Sequence, residues 1–207
     1  MDNVALGWLV YELTGDAFMV GVTAGLRMIP LFLLGIVSGA VADRVDRRVL
    51  LRIVTLTGAI NMFILGSLLV SGINSVWMVI AMATLIGVSF SFLLTLRQAY
   101  TYDIVGPNNS LNGLSMLQIA SQGGAVFGSL IAGFLIESIG VGWQFVVVGG
   151  TYFLSVLVLL GARESGHSAS QEKSYILSNL VGYVRLLKDY PILFTLMFLA
   201  VTTAIFG

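Results

Sequence analysis

Apolar runs of about 20 residues recur along this chain and limit its fold more than any other feature of the sequence. They cover residues 18–42, 49–70, 76–96, 111–136 and 143–162. A helix of that length spans a bilayer, because all its backbone polar groups are hydrogen-bonded within the segment. Only 10% of the residues are charged, against about 25% in soluble domains. The sequence therefore predicts an all-α membrane protein.

Two further apolar segments are shorter than a span. The run at residues 4–13 has the character of a first span whose beginning is missing, and residues 191–207 begin a seventh span. We therefore expect residues 1–162 to form a six-helix bundle in which span one is truncated. Residues 163–190 are polar, and apolar side chains recur within them at helical spacing. This pattern predicts a connecting amphipathic helix on the membrane surface, either a plain linker or a regulatory element.

Basic residues predict the orientation of these spans. Nine of the ten Lys and Arg residues lie in or beside alternate connections. Because Lys and Arg are retained on the cytoplasmic side, we expect the loops at 43–48, 97–110 and 163–190 to be cytoplasmic. The chain is then a multi-pass protein of the inner (plasma) membrane.

The composition removes several classes of function. Cysteine is absent and His167 is the single histidine, which excludes cysteine and histidine metal sites and thiolate catalysis. The sequence contains no nucleophile beside a base and no phosphate-binding glycine loop, so we expect neither an enzyme nor a resident cofactor. A formal net charge of zero gives no field that would attract nucleic acid.

The connection after the second apolar run carries the most specific motif in the chain. It reads Gly39-Ala-Val-Ala-Asp43-Arg44-Val-Asp46-Arg47-Arg48. We expect Gly39 to allow close approach of a neighbouring helix and Asp43 to cap or pair at the membrane face. The arginines are expected to lie at the anionic inner leaflet. A generic basic loop would explain the arginines but not the glycine and the aspartate.

This motif resembles the signature G-x-x-x-D-R-x-G-R-[KR] of the major facilitator superfamily, with Asp46 where that family commonly has glycine. Residues 8–30 and 97–103 are similar to the drug exporter branch that includes macrolide efflux proteins and the enterobactin exporter. The resemblance implies the amino-terminal half of a transporter that works by alternating access. It also implies that Asp43 takes part in a charge network at the inner face, with Arg97 as the candidate partner.

Small residues in the fifth apolar run resemble the antiporter motif G-x-x-x-G-P-x-x-G-G, with Ser129 in place of the proline and Ala132 in place of a glycine. Small residues four apart form a groove for a neighbouring helix. We therefore predict helix packing at Gly124, Gly128 and Gly133.

A polar stripe occupies the other face of this run, at spacings of three, three and four residues. Polar groups are costly in hydrocarbon unless they face protein or a water-filled cavity. The stripe therefore predicts a cavity wall, with interhelical hydrogen bonding as the alternative. The candidate wall residues are Asn112, Ser115, Gln118 and Gln122, joined by the aromatic Trp8 and Tyr11 of span one.

Arg27 is an arginine inside an apolar run, 16 residues before Asp43. At about 1.5 Å per residue it lies about 24 Å from the cytoplasmic end of its helix. A buried guanidinium needs a partner. We predict that Glu12 pairs with Arg27, as an outer gate or a proton-sensitive element. Alternatively, Arg27 extends to the outer headgroups.

These features predict a secondary active transporter that exports small amphipathic molecules of drug or siderophore type, driven by proton influx. The expected partners are the lipid bilayer, a small-molecule substrate, protons and the carboxy-terminal half of the same transporter. The alternatives are an importer of small solutes and a non-transporting membrane module of structural, regulatory or inert truncated character. No cofactor, metal or nucleic acid is expected.

Overall fold

The computed structural model of the chain describes residues 2–42 and 45–161. Five of its helices, α2 to α6, are long and apolar enough to cross a membrane, which confirms the predicted all-α membrane fold. The elements are α1 (Asp2–Thr14), α2 (Ala17–Ala42), α3 (Arg47–Val70), α4 (Val76–Val105), a 3-10 turn (Pro107–Asn109), α5 (Ser110–Ile139) and α6 (Val141–Gly161).

Several sequence predictions fall outside the described residues. They are the linker at 163–190, the start of span seven at 191–207, and the proposed pair of Asp43 with Arg97, because Asp43 and Arg44 are not described. These predictions stay predictions.

The helices pack in two main pairs, α2 with α4 and α3 with α6, and α3 also packs against α4. A larger cluster of buried apolar side chains joins α1, α3, α4 and α6. A smaller one joins the end of α2 to α3 and α4. Helices α2 and α4 run in the same direction, since Arg27 lies beside Gly87 and Ser38 contacts Thr95 further along both helices.

Glycines set the distance between α3 and α6. A Cβ built on Gly66 would lie 2.9 Å from the Gly142 carbonyl oxygen and 2.8 Å from the Val146 backbone nitrogen. Both atoms belong to backbone, which cannot move aside as a side chain can. Glycine at position 66 therefore allows the two helix backbones to come into direct contact.

The glycines chosen from the sequence are placed differently. A Cβ at Gly39, Gly124 or Gly133 would meet no atom within 4 Å, so the close packing predicted at these three positions is not made by the described helices. Gly128 is buried on α5 together with Ala132. The spacing of small residues shows that a helix can approach closely, but another helix must also be present there.

Helix α4 continues to Val105, beyond the end of its apolar run. The predicted loop at 97–110 is therefore wrong in extent, and Arg97 lies within the helix. Hydropathy marks where a helix leaves the hydrocarbon, whereas hydrogen bonding and packing decide where it ends. Leu96 and Tyr100 are buried in the smaller cluster, and the helix stops at Gly106, whose φ of 72° favours glycine.

Candidate functional site

A pocket of about 230 Å³ lies between α1 and α2. Most of its wall is apolar, and Arg27 is the one charged residue that lines it. The hydroxyl of Thr23 donates to the Met19 carbonyl oxygen of its own helix at 2.9 Å. The lining residues are Asn3, Leu6 and Gly7 of α1 and Val20, Thr23, Ala24, Arg27 and Met28 of α2.

Arg27 is buried in this apolar setting, with 7% of its surface exposed. Its Nη2 donates to Asp2 Oδ2 in an ion pair, and its Nη1 donates to Asn3 Oδ1. Its Cζ also lies 6.0 Å from the centroid of the Phe90 ring on α4. A carboxylate, an amide oxygen and an aromatic face thus take the place of water around the guanidinium.

The predicted pairing of Arg27 with Glu12 is wrong. Arg27 lies ten residues after the start of α2 at Ala17, which is about 15 Å along the helix. Glu12 is only two residues from the end of α1 at Thr14, or about 3 Å, and it is exposed. The two side chains therefore lie at different depths. The low exposure of Arg27 also shows that it does not extend into the surroundings, as the alternative required.

Asp2 and Asn3 were missed by the sequence reasoning, although a signal for them exists. The chain reverses at Gly15, whose φ is 64°. Two helices that leave a tight turn rise equally per residue, so positions at equal distance from the turn lie at equal depth. Asn3 and Arg27 are each twelve residues from Gly15. Counting outward from this turn identifies the partners that a search for the nearest acidic residue did not.

A second group of charges lies at the end of the bundle where α2 ends and α3 begins, which we call the basic end. Arg47 Nη1 donates to Asp103 Oδ1 of α4 at 2.7 Å, and Arg47 Nε donates to the Ala42 carbonyl oxygen of α2 at 3.1 Å. The two charged side chains are 11% and 13% exposed. Arg47, one of the predicted signature residues, therefore joins α2, α3 and α4.

Asp46 is the N-cap of α3. Its Oδ1 accepts hydrogen bonds from the backbone N–H groups of Arg48 at 2.9 Å and Val49 at 3.4 Å. An N-cap aspartate satisfies backbone donors that have no partner within the helix. This gives a physical role to the residue at which the motif departs from the pattern it resembles. The sequence reasoning assigned the capping role to Asp43 instead.

Arg52 ties α3 to the end of α6. Its Nε and Nη2 donate to the Leu159 carbonyl oxygen at 3.0 and 2.6 Å, and Nη2 also reaches the Leu160 carbonyl oxygen at 3.2 Å. The last carbonyls of a helix lack intrahelical donors and carry partial negative charge. Arg52, which lies one turn after Arg48 on α3, was not singled out from the sequence. Together, Arg47 and Arg52 connect four helices at the basic end.

The predicted cavity-wall residues lie on exposed surfaces and do not line the pocket between α1 and α2. Trp8 and Tyr11 are 55% and 53% exposed. The four polar residues of the α5 stripe are also exposed, and the buried positions of α5 are Gly128 and Ala132. A cavity role for this stripe stays a prediction.

Membrane-length helices that enclose a buried ion pair beside a pocket define a polytopic membrane protein with an internal polar site. The family model described as Major Facilitator Superfamily matches residues 3–207, nearly the whole chain. The chain therefore belongs to the major facilitator superfamily, as its loop motif predicted, and lies in a membrane.

Two curated relatives share this membership. The chain is 27% identical over 161 residues to the "Staphyloferrin A transporter" of Staphylococcus aureus (strain NCTC 8325 / PS 47), which covers 77% of the chain and 41% of the relative. It is 23% identical over 171 residues to the "Uncharacterized MFS-type transporter YfiS" of Bacillus subtilis (strain 168), covering 81% and 40%. The chain thus spans about two fifths of the length of these relatives. No solved structure matches it significantly.

Proposed function

We propose that the full-length protein containing this chain is a secondary active transporter that exports small amphipathic molecules, of drug or siderophore type, by alternating access. Membership in the superfamily and the relatives named as transporters support membrane transport. The observation that carries the proposal is the buried Arg27 and Asp2 pair beside the apolar pocket. Such a site offers one polar contact and an apolar wall, which suits an amphipathic molecule.

The proposed driving force is proton influx. Two carboxylates, Asp2 and Asp103, take part in ion pairs within the described helices. Carboxylates within a membrane protein bind and release protons in many proton-coupled transporters. The loops at 43–48 and 163–190 and the end of α4 are proposed to face the cytoplasm, because they carry the basic residues.

Export is tested by the accumulation of a fluorescent amphipathic dye in an efflux-deficient host that expresses the full-length protein. We expect accumulation to fall and to recover when an uncoupler collapses the proton gradient. An Arg27→Gln variant should lose export, whereas Glu12→Gln, which removes an exposed charge from α1, should retain it. Membrane abundance of each variant is measured by immunoblot.

The other outcomes separate the alternatives. Higher accumulation than in the empty host would favour the importer, and unchanged accumulation of all substrates with the protein in the membrane would favour a non-transporting module. Export that an uncoupler does not affect would refute the proton drive alone.

A further inference from the structure

The wall of the pocket between α1 and α2 is electrostatically one-sided. Arg27 lines it, whereas its carboxylate partner Asp2 does not. A molecule in the pocket therefore meets the cationic edge of the ion pair. The opposite polarity would have resulted if Asp2 had lined the pocket and Arg27 had been behind it.

The polar groups at this edge are mainly donors. The guanidinium of Arg27 has five N–H groups and no acceptor, and the Asp2 and Asn3 bonds use one N–H each. Because the Asn3 carbonyl oxygen already accepts from Arg27, its amide N–H groups are the part that can donate to a ligand. The hydroxyl proton of Thr23 is donated to its own helix. The pocket thus presents positive charge and N–H donors against an apolar wall.

We propose that this pocket binds the carboxylate of an amphipathic organic anion, with the carboxylate on Arg27 and the apolar part against Leu6, Val20 and Met28. The inference rests on the proposed function, since it names the class of molecule that the transporter carries. A guanidinium binds carboxylates through paired N–H donors, and Asp2 already makes such a contact in the structure. A phosphate dianion would place more negative charge beside Asp2 than one guanidinium balances.

Asp2 makes the proposal unusually testable, because it competes with the ligand for the same guanidinium. An Asp2→Asn substitution keeps the charge of Arg27 and removes the competing carboxylate. We therefore expect this substitution to strengthen anion binding, an effect that loss of folding cannot produce. The matched control is Glu12→Gln, which removes the same charge from the same helix at an exposed position.

The experiment measures binding by titration calorimetry on the full-length protein in lipid nanodiscs. The probes are 4-phenylbutyrate and its uncharged analogue 4-phenylbutyramide. We expect the carboxylate to bind about tenfold more tightly than the amide, because its hydrogen bonds are charge-assisted. Asp2→Asn should lower the Kd of the carboxylate about fivefold to tenfold and leave that of the amide unchanged. Glu12→Gln should change either by less than about twofold, the effect of screened charge at a distance.

A third variant tests the location. Ala24→Leu adds bulk to the pocket wall without touching the ion pair, and it should weaken carboxylate binding at least tenfold. Equal affinity for the two probes, an Asp2→Asn effect no larger than that of Glu12→Gln, or unchanged binding to Ala24→Leu would each overturn the inference.

Binding and transport fail separately. If phenylbutyrate binds as expected but no substrate is exported, the proposed function is wrong and the site assignment stands. If amphipathic dyes are exported but the carboxylate and the amide bind alike, the function stands and the substrate class is wrong.

Discussion

Replacing Gly66 with alanine tests the backbone contact between α3 and α6. The new Cβ would lie 2.8 Å from the Val146 nitrogen and 2.9 Å from the Gly142 carbonyl oxygen, where ordinary contact begins at 3.4 Å. The helices must therefore separate by about 0.5 Å. Overpacking of this kind costs about 1–3 kcal/mol, and the higher helix propensity of alanine offsets about 1 kcal/mol. We expect a net destabilisation of about 1 kcal/mol.

The assay is reversible unfolding of the full-length protein in mixed micelles with increasing dodecyl sulfate, followed by far-UV circular dichroism. The control is Gly150→Ala on α6, where an added Cβ meets nothing within 4 Å. This variant gains helix propensity without a clash and should be stabilised by about 1 kcal/mol. The two variants should thus differ by about 2 kcal/mol in their free energy of unfolding. Equal stabilisation of both would show that α3 and α6 are not in backbone contact at Gly66.

Three further predictions concern hydrogen bonds in the described helices. Ser38→Ala should lose about 1 kcal/mol because its hydroxyl bonds to Gly35 and Thr95, whereas Ser91→Ala, at a buried hydroxyl without a hydrogen-bond partner, should be neutral or stabilising in the same unfolding assay. Asp103→Asn should destabilise by about 3 kcal/mol, since Arg47 remains buried without its counter-charge; full stability of this variant would contradict the role of the pair, and the double change to Arg47→Met with Asp103→Leu should restore most of the loss. Arg52→Met keeps the apolar stem but removes the donors to the end of α6, so amide exchange at residues 157–161 should accelerate, and unchanged exchange would refute the tie.

The positions of the helices could be predicted from the sequence in large part. The apolar runs at 18–42, 49–70 and 76–96 coincide with α2, α3 and the greater part of α4. This agreement has a simple origin, because a backbone in hydrocarbon must satisfy its own hydrogen bonds and therefore forms a helix wherever the run is long enough. The loop motif likewise predicted the superfamily.

The candidate site was predicted less well. Arg27 was correctly chosen as a buried charge that needs a partner, but Glu12 was the wrong partner and the pocket at Arg27 was not foreseen. The role of Asp46 as a cap was also missed, although aspartate immediately before a helix is a common start signal. The small residues of α5 suggested a contact that the described helices do not make at Gly124.

What the sequence determined by itself was the membrane environment, the number and approximate limits of the long helices, and the presence of a buried cation in α2. These follow from transfer free energies that each residue contributes locally, independent of its neighbours in space. Only the tertiary structure decided that Arg27 meets Asp2, that Arg47 meets Asp103, and that Arg52 closes the end of α6. Such pairings depend on the relative depth and rotation of helices far apart in the chain, and local hydropathy contains no term for either.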